Sequence, residues 1–248
     1  MSKVMLVTGA ARGIGAAVAR MAAARGYDVC ITYAGRDDAA RAVVADIEAA
    51  GQRGLALKAD AGTEAGVMAT FAAIDREFGR LDVFVGNAGI TGAFTRVADL
   101  DSEMLRRTID INVFGLLLCC RESVRRMSTA RGGPGGSIVL ISSVAAELGS
   151  PDEYVHYAAS KGAVNSMTIG LAREVALEGI RVNAVAPGMI ETDIHADGGR
   201  PERLVEKAPA IPMHRPGTPD EVAETVLWLA SDAASYCTGS VLKVSGGR

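Results

Sequence analysis

The sequence has few of the side chains on which metal centres and disulfide frameworks depend. Only four of its 248 residues are cysteine and three are histidine, and the histidines are scattered without the spacing of metal ligands. The cysteines contain no CxxC pair and are Cys30, Cys119, Cys120 and Cys237. Thiols of this kind are typical of a reducing compartment. We therefore predict no metal site and a cytoplasmic location.

The chain also lacks a basic excess and a long apolar run. Lysine and arginine number 26 against 29 acidic residues, so the net charge of −3 gives no electrostatic footprint for nucleic acid or an anionic membrane. The longest apolar stretch, "VFGLLLCC", is far shorter than the ~20 residues that a membrane span needs. The N-terminus enters a strand-like run without the long apolar core of a signal peptide. These features argue against nucleic-acid and membrane partners.

Short apolar runs alternate with helical patterns along the whole chain. Seven runs rich in β-branched residues predict strands at 4–8, 28–33, 55–59, 81–87, 137–143, 180–186 and 240–245. Near-continuous apolar runs are expected when helices cover both faces of a parallel sheet. Between the runs, helices are predicted at 13–25, 37–50, 64–78, 102–130, 157–178 and 219–231.

This alternation predicts an α/β fold, a single Rossmann-type doubly wound parallel sheet of about seven strands with helices on both faces. No composition break marks a second domain, so residues 1–248 are predicted to form one domain. Residues 188–217 are rich in glycine, proline and charge and follow a strand end, where open α/β sheets bind ligands. We predict that this segment is a substrate lid, and that it sets selectivity together with residues 90–94.

The run "VTGAARGIG" places Gly9, Gly13 and Gly15 between the first strand and the first helix. Glycine allows a tight turn and a close backbone approach to a pyrophosphate, and the helix N-terminus attracts negative charge. The alternative is a merely structural glycine turn. The strand before and the helix after favour a dinucleotide site.

Two arginines favour NADP(H) over NAD(H). NAD sites usually place an acidic residue at the end of the second strand, where this chain has Tyr33. Arg12 and Arg36 are placed to bind a 2′-phosphate, because a guanidinium can bind such an anion through two nitrogens. Either arginine can instead be solvated surface, so NAD(H) stays possible. Asp60 is a candidate acceptor for the adenine amine or, equally, a turn former.

Tyr157 and Lys161 are four residues apart and share one face of a helix, whereas Tyr154 lies seven residues before the lysine. A free phenol has a pKa of ~10, and an ammonium ~4 Å away at an effective dielectric of ~20 supplies ~4 kcal/mol, about three pKa units. The pair therefore suits general acid/base chemistry. Ser143, at a strand end, is the candidate donor to a carbonyl oxygen, and Ser142 is the alternative if the strand register shifts by one.

Together these motifs resemble those of the short-chain dehydrogenase/reductase family over essentially all 248 residues. "TGAARGIG" matches the family's TGxxxGxG turn, "NAG" its Asn-Ala-Gly element and "YAASK" its Tyr-x-x-x-Lys signature. Asn112 in "DINVFG", Ser143, and Pro187 with Gly188 in "APG" also match. Gly86 departs from the family, which commonly has asparagine there, and the Ser143–Tyr157 spacing is about one residue long.

The resemblance implies roles for these residues. Tyr157 would donate or accept the proton, Ser143 would orient the substrate oxygen, and Lys161 would lower the tyrosine pKa and hold the nicotinamide ribose. Asn112 would anchor a water that relays protons from Lys161, and Thr192 would touch the carboxamide. The cofactor-binding residues would be Gly9, Arg12, Gly13, Ile14, Gly15, Tyr33, Arg36, Asp60, Asn87, Ala88, Gly89, Tyr157, Lys161, Pro187, Gly188 and Thr192. The family also implies a homotetramer in which the long helices around Asn112 and Tyr157 pair between subunits.

The leading hypothesis is an NADP(H)-dependent oxidoreductase that interconverts a ketone and a secondary alcohol in a small-molecule substrate. Reduction of 3-oxoacyl groups on a carrier protein and sugar oxidation, as in glucose 1-dehydrogenase, both stay open. An acidic carrier would favour a basic patch, but the lid cations Arg200, Arg203 and Lys207 are interleaved with glutamates. The alternative from another class is a non-catalytic protein that senses nucleotide redox state.

Overall fold

A computed structural model describes residues 2–248, in which seven strands form one parallel sheet of order β3-β2-β1-β4-β5-β6-β7. The strands are β1 Val4–Val7, β2 Asp28–Tyr33, β3 Gly54–Lys58, β4 Val83–Gly86, β5 Gly136–Ile141, β6 Ile180–Pro187 and β7 Val241–Val244. Each predicted strand has its counterpart, so the parallel α/β sheet is confirmed. β1 lies between β2 and β4, and this change of winding direction opens a crevice at the carboxyl ends of the strands.

The α-helices of the described chain are α1 Gly13–Ala24, α2 Asp37–Ala49, α3 Glu64–Glu77, α4 Ser102–Ile109, α5 Leu116–Met127, α6 Ala145–Leu148, α7 Val155–Val175, α8 Ile194–Asp197, α9 Arg203–Lys207 and α10 Pro219–Ala230. One prediction needs correction, because the helix expected over 102–130 is interrupted by a π-helical turn, Asp110–Gly115. A side chain at Gly115 would collide with the carbonyl oxygen of Ala61. The helix therefore passes directly against the loop that follows β3.

Alternate residues of each strand face opposite cores. In β1, Met5 and Val7 pack with α1, α2 and α10 on one side of the sheet. Leu6 packs with α3, α5 and α7 on the other side. Because both faces are covered, all four residues of β1 are fully buried, which explains the continuous apolar run in the sequence.

The predicted lid begins and ends at one point beside β6. The amide of Gly217 donates to the carbonyl of Met189 at 2.9 Å, and the amide of Glu191 donates to the carbonyl of Gly217 at 2.9 Å. Between these points lie α8 and α9. The next helix, α10, starts with a capping box between Thr218 and Glu221, which fixes where the segment rejoins the sheet.

Residues 2–248 contain neither a candidate metal site nor a candidate membrane-spanning helix. They contain no group of three His, Cys, Asp or Glu side chains arranged to hold a metal ion. None of the helices described there has the length and apolarity needed to cross a bilayer.

Candidate active site

The glycine turn after β1 packs so closely against the loop after β4 that side chains cannot fit. Gly9 and Gly13 have φ of 66° and 56°, a region that favours glycine. A Cβ at Gly9 would lie 2.9 Å from the Cα of Ala88, and one at Gly15 would lie 2.5 Å from Nδ2 of Asn87. Gly9 and Gly15 are therefore brought together with the Asn-Ala-Gly element, whereas Gly13 faces Thr192.

Asn87 links the two loops through hydrogen bonds. Its Nδ2 donates to the carbonyls of Thr8 at 2.8 Å and Gly9 at 3.0 Å. The Thr8 hydroxyl accepts from the amides of Asn87 and Ala88, each at 3.1 Å. The Asn-Ala-Gly element thus holds the glycine turn in shape, a supporting role that its sequence match alone does not reveal.

The N-terminal end of α1 fits an anionic group. Arg12 is the N-cap residue, its side chain makes no capping bond, and the first turn of this twelve-residue helix carries no acidic residue. Its first amides therefore have no side-chain acceptor from the cap and can donate to a phosphate, as helix N-termini do in dinucleotide sites. The residues present fit the pyrophosphate of a nicotinamide dinucleotide. The lid approaches here, since a Cβ at Gly13 would lie 3.2 Å from Cγ2 of Thr192.

Both predicted phosphate-binding arginines form ion pairs with lid carboxylates. Arg12 Nη1 donates to Oδ2 of Asp193 at 2.8 Å, and Arg12 Nη2 pairs with Asp197. Arg36 Nη1 lies 3.3 Å from the same Oδ2 of Asp193. The bond from Arg12 is the main cause that lowers the pKa of Asp193. Sequence reasoning missed both aspartates, because their arginine partners lie more than 150 residues away in the chain.

Tyr33 lies at the end of β2, and Asp60 follows β3 by two residues. Oδ1 of Asp60 accepts from the amide of Gly62 at 2.8 Å and from Arg107 Nη2 at 2.9 Å, and this arginine bond is the main cause that lowers the Asp60 pKa. The structure thus shows the turn-forming role, and the adenine contact stays a prediction.

Ser143, Tyr157 and Lys161 line one cleft at the carboxyl ends of β5 and β6. Lys161 Nζ lies 5.7 Å from the centre of the Tyr157 ring and donates to the carbonyl of Ile141 at 2.7 Å. Six further predicted residues line the same cleft: Ile14, Asn87, Gly89, Pro187, Gly188 and Thr192. The cleft therefore joins the predicted acid/base pair to part of the predicted nucleotide site.

The charges in this cleft differ from the expectation that Lys161 lowers the tyrosine pKa. Burial raises the pKa of Tyr157, the hydrogen bond with Ser143 lowers it less, and Tyr154 raises it further. Burial also lowers the pKa of Lys161 to about 8. The reason for the difference is that the ammonium is directed to the Ile141 carbonyl, while both side chains are almost wholly removed from water.

The two candidate serines have different partners. Ser142 is buried, and its hydroxyl lies 2.5 Å from Oδ1 of Asn165 and 3.2 Å from the carbonyl of Lys161. The Ser143 hydroxyl accepts from the amide of Ala145 at 3.1 Å, and Ser143 is the side chain that lowers the pKa of Tyr157 against the effect of burial. The geometry therefore supports Ser143 as the substrate-facing hydroxyl and assigns Ser142 to holding α7.

Asn112 lies in the π-helical turn and is fully buried. Its Oδ1 accepts from the amide of Ile90 at 2.9 Å, and its Nδ2 donates to the carbonyl of Ile90 at 2.8 Å and to Ser160 Oγ at 3.0 Å. The side chain thus ties the loop after β4 to α7. Its role in a proton relay stays a prediction.

Tyr154, the second tyrosine of the signature region, belongs to a different cluster. Its hydroxyl accepts from Arg203 Nη2 at 2.9 Å, and its ring packs edge-on against Tyr157 and Phe94, with centroids 5.3 and 4.8 Å away. Arg203 is 1% exposed and binds both carboxylate oxygens of Glu153 at 2.7 and 2.6 Å. This cluster fixes α9 of the lid against the start of α7, and sequence reasoning missed it.

The lid cations do not form a free basic patch. Arg200 pairs with Glu202 and Glu206, each at 2.7 Å, and Lys207 pairs with Glu153 at 3.2 Å. The cleft wall instead combines polar and apolar side chains. Met189, Ile190 and Ile194 come from the predicted lid, whereas Val144 and Leu148 were not placed there by sequence reasoning.

Comparisons with known proteins agree over the full length. A family model described as enoyl-(acyl carrier protein) reductase matches residues 9–248. The uncharacterized oxidoreductase YgfF of Escherichia coli K12 is 48% identical over 99% of both chains. An L-rhamnose 1-dehydrogenase (NAD(P)(+)) of Sphingomonas sp. SKA58 is 40% identical over 99% of this chain and 95% of its own. A 3-oxoacyl-[acyl-carrier-protein] reductase FabG of Staphylococcus aureus is 39% identical over 100% and 98%.

Solved structures give the same match in three dimensions. A short-chain type dehydrogenase/reductase from Mycobacterium marinum superposes with a TM-score of 0.92 at 34% identity, covering 99% of this chain and 94% of that one. A blue fluorescent protein from a metagenomic library, in complex with NADPH, superposes with a TM-score of 0.90 at 35% identity, covering 99% and 97%.

Proposed function

The chain belongs to the short-chain dehydrogenase/reductase family and is an oxidoreductase, and from that premise we propose that it interconverts a ketone and a secondary alcohol with NADP(H) in preference to NAD(H). The observation that carries the proposal is the cleft shared by Ser143, Tyr157 and Lys161 beside the glycine turn. When bound, the cofactor supplies or accepts the hydride. Residues 1–248 would form one domain with residues 188–217 as its lid.

In this reaction Tyr157 would carry the proton. Because burial raises its pKa, the hydroxyl stays protonated at neutral pH and is ready to donate to a carbonyl oxygen during reduction. Ser143 would donate a second hydrogen bond to that oxygen. Lys161, with a pKa of about 8, would stabilise the phenolate left behind and bind the nicotinamide ribose. Asn112 would anchor the water that returns a proton to Lys161.

The cofactor preference rests on Arg12 and Arg36, whose guanidinium groups flank the glycine turn and the end of β2. The relative that oxidises L-rhamnose carries NAD(P)(+) in its name, and one structural neighbour binds NADPH. These names support a nicotinamide cofactor and are compatible with both NAD(H) and NADP(H). We expect Arg36→Ala to weaken NADPH binding about tenfold and to change NADH binding less than twofold, measured by fluorescence titration. An equal loss for both cofactors would overturn the phosphate assignment.

The substrate would be a small carbonyl compound or alcohol. Relatives named for L-rhamnose and for 3-oxoacyl carrier proteins keep sugar oxidation, including glucose 1-dehydrogenase activity, and 3-oxoacyl reduction as candidates. The paired lid cations weaken the case for an acidic carrier, since Arg200, Arg203 and Lys207 are neutralised within the chain. A panel of ketones, aldoses and 3-oxoacyl thioesters with both cofactors tests the class. No turnover with any of them would favour the nucleotide-sensing alternative.

Tyr157→Phe tests the catalytic role directly. We expect kcat to fall by about 10²- to 10⁴-fold while NADPH binding stays within a few-fold, because only the proton donor is removed. Tyr154→Phe is the matched control, since it removes a neighbouring hydroxyl bonded to Arg203 instead, and should keep kcat within about threefold. If Tyr157→Phe abolishes nucleotide binding as well, the tyrosine is structural and the mechanism is wrong.

A homotetramer and a cytoplasmic location also stay proposals. Phe114, Leu117 and Ile169 leave 46%, 49% and 40% of their surface exposed on the π-helical turn, α5 and α7. These helices are the ones that the family would pair between subunits, so a partner subunit would cover this apolar surface.

A further inference from the structure

Ion pairs join the lid to the two arginines assigned to the 2′-phosphate. One oxygen, Oδ2 of Asp193, lies 2.8 Å from Arg12 Nη1 and 3.3 Å from Arg36 Nη1. Asp197 pairs with the second terminal nitrogen of Arg12. Asp193 and Asp197 therefore bring two carboxylates to the same pair of guanidinium groups. All four side chains are exposed by 38–58%, so water reaches every pair.

This arrangement resembles the way a phosphate is bound. Guanidinium groups take phosphate and carboxylate oxygens through the same planar set of nitrogens. Here the carboxylates of Asp193 and Asp197 accept from three terminal nitrogens of Arg12 and Arg36 that a 2′-phosphate would also use. A phosphate bound at the same guanidinium groups would lie beside both carboxylates and be repelled by them, so the two kinds of anion compete for the arginines.

The same lid segment forms part of the cleft wall. Thr192 and Ile194 line the cleft, and Thr192 packs on Gly13 of the glycine turn. Whatever moves Asp193 therefore also moves the residues on either side of it. Each exposed ion pair shifts the equilibrium between the attached and the released lid by only about 1.4- to 5-fold. A competing anion can therefore replace the carboxylates.

We propose that Asp193 and Asp197 are cofactor-specificity residues, which hold the lid on the glycine turn through Arg12 and Arg36 until a 2′-phosphate displaces them. The inference rests on the proposed assignment of both arginines to that phosphate. NADP(H) releases this part of the lid and NAD(H) does not. The opposite arrangement, in which the carboxylates stay in place, would repel the phosphate and make the chain prefer NAD(H).

The double variant Asp193→Asn with Asp197→Asn tests the competition. We expect it to bind NADPH and 2′,5′-ADP about five- to thirtyfold more tightly than the native protein, as measured by isothermal titration calorimetry, and NADH within twofold. The control is Glu202→Gln with Glu206→Gln, which removes the same charge from the same lid but breaks only pairs with Arg200. It should change each affinity less than twofold.

Hydrogen exchange gives a second readout. In the native protein, 2′,5′-ADP should speed amide exchange over residues 190–200 and 5′-AMP should not, whereas in the Asp193→Asn and Asp197→Asn variant exchange is already fast. Unchanged NADPH affinity in that variant, or NADPH binding without a change in lid exchange, would overturn the inference. Arg12→Ala and Arg36→Ala distinguish a failure of the lid inference from a failure of the phosphate assignment. If they weaken NADPH binding while the aspartate variant behaves as native, only the lid inference fails; if they leave NADPH binding intact, the phosphate assignment itself fails.

Discussion

Lys161 carries a charged group at a buried position, where the charge costs free energy. The residue is 4% exposed, and the only hydrogen bond found for its ammonium group among the described residues goes to the carbonyl of Ile141. Burial lowers its pKa to about 8. A charge held in such surroundings is less favourable than the same charge in water, so the folded state binds the proton less tightly than the unfolded state.

We predict that Lys161→Met raises the free energy of unfolding at pH 7 by about 2–3 kcal/mol while abolishing activity. Below pH 8 the lysine is protonated in both states and the cost is complete. Between pH 8 and ~10.4 the unfolded state binds more protons, so native stability rises with pH and the difference from the variant shrinks. Urea unfolding from pH 6 to 10 measures this.

The control for that series is Lys58→Met, which removes an exposed ammonium paired with Asp37 at 3.1 Å. Its stability difference from the native protein should stay below about 1 kcal/mol. A less stable Lys161→Met variant at pH 7 would show that the hydrogen bond to Ile141 outweighs the cost of burial.

Individual site residues were predictable where chemistry follows local spacing. Helical periodicity separates Tyr157 from Tyr154, and the strand end places Ser143 at the sheet edge. The partners of the lid charges were not predictable, because they lie far away in the chain. Glu153 is 50 residues from Arg203, and Arg12 is 181 residues from Asp193. A charged residue in an aperiodic segment carries no signal of such a partner.

At the scale of elements, the π-helical turn packs against the loop after β3 through one glycine. Gly115 is buried against the carbonyl of Ala61, whereas Gly170 in α7 has no heavy atom within 4 Å of a Cβ built on it. Alanine favours a helix over glycine by about 1 kcal/mol, so propensity alone predicts that both positions gain from the change. At Gly115 the contact with Ala61 outweighs this preference, so alanine is expected to lower the stability of the protein there.

We predict that Gly170→Ala leaves stability unchanged or raises it by up to about 1 kcal/mol. Gly115→Ala should lower stability by about 2 kcal/mol or more, because a backbone carbonyl cannot rotate away. Thermal and urea unfolding measure both, and equal effects at the two sites would contradict the contact with Ala61.

Element boundaries were predictable within a few residues wherever the cause is local. The capping box of α10 is an example, since Thr218 and Glu221 are three residues apart. The π-helical turn within 102–130 was not, because the contact it makes, with the loop at Ala61, comes from a part of the chain that no local pattern links to it. Short lid helices such as α8, with four residues, are below the length at which periodicity is visible.

At the scale of the whole molecule, the parallel sheet followed from the apolar runs, but the strand order did not. A run that is buried on both faces reveals that helices cover it, and does not reveal its neighbours. The order emerges from pairings such as that of Val7 with both Ile31 and Val85. Association between subunits is likewise absent from any local pattern.

We predict that Phe114→Lys combined with Leu117→Lys converts a tetramer into smaller species, because two charges would be buried in a subunit contact. Light scattering after size-exclusion chromatography gives the mass. Leu177→Lys is the control, since that leucine is fully exposed in the turn that follows α7 and should tolerate the change. A native protein that already runs as a monomer would contradict the tetramer.

The closure of residues 190–217 at a single point has an evolutionary consequence. Because Met189, Glu191 and Gly217 bond to one another, everything between them can be exchanged as a unit without altering the order or register of the sheet. Such a graft must retain an arginine that reaches Glu153 and Tyr154, or it would leave a carboxylate and a phenol without their cation. Enzymes with new substrates could thus be obtained by exchanging this one segment between relatives, and candidate segments would first be screened for that arginine.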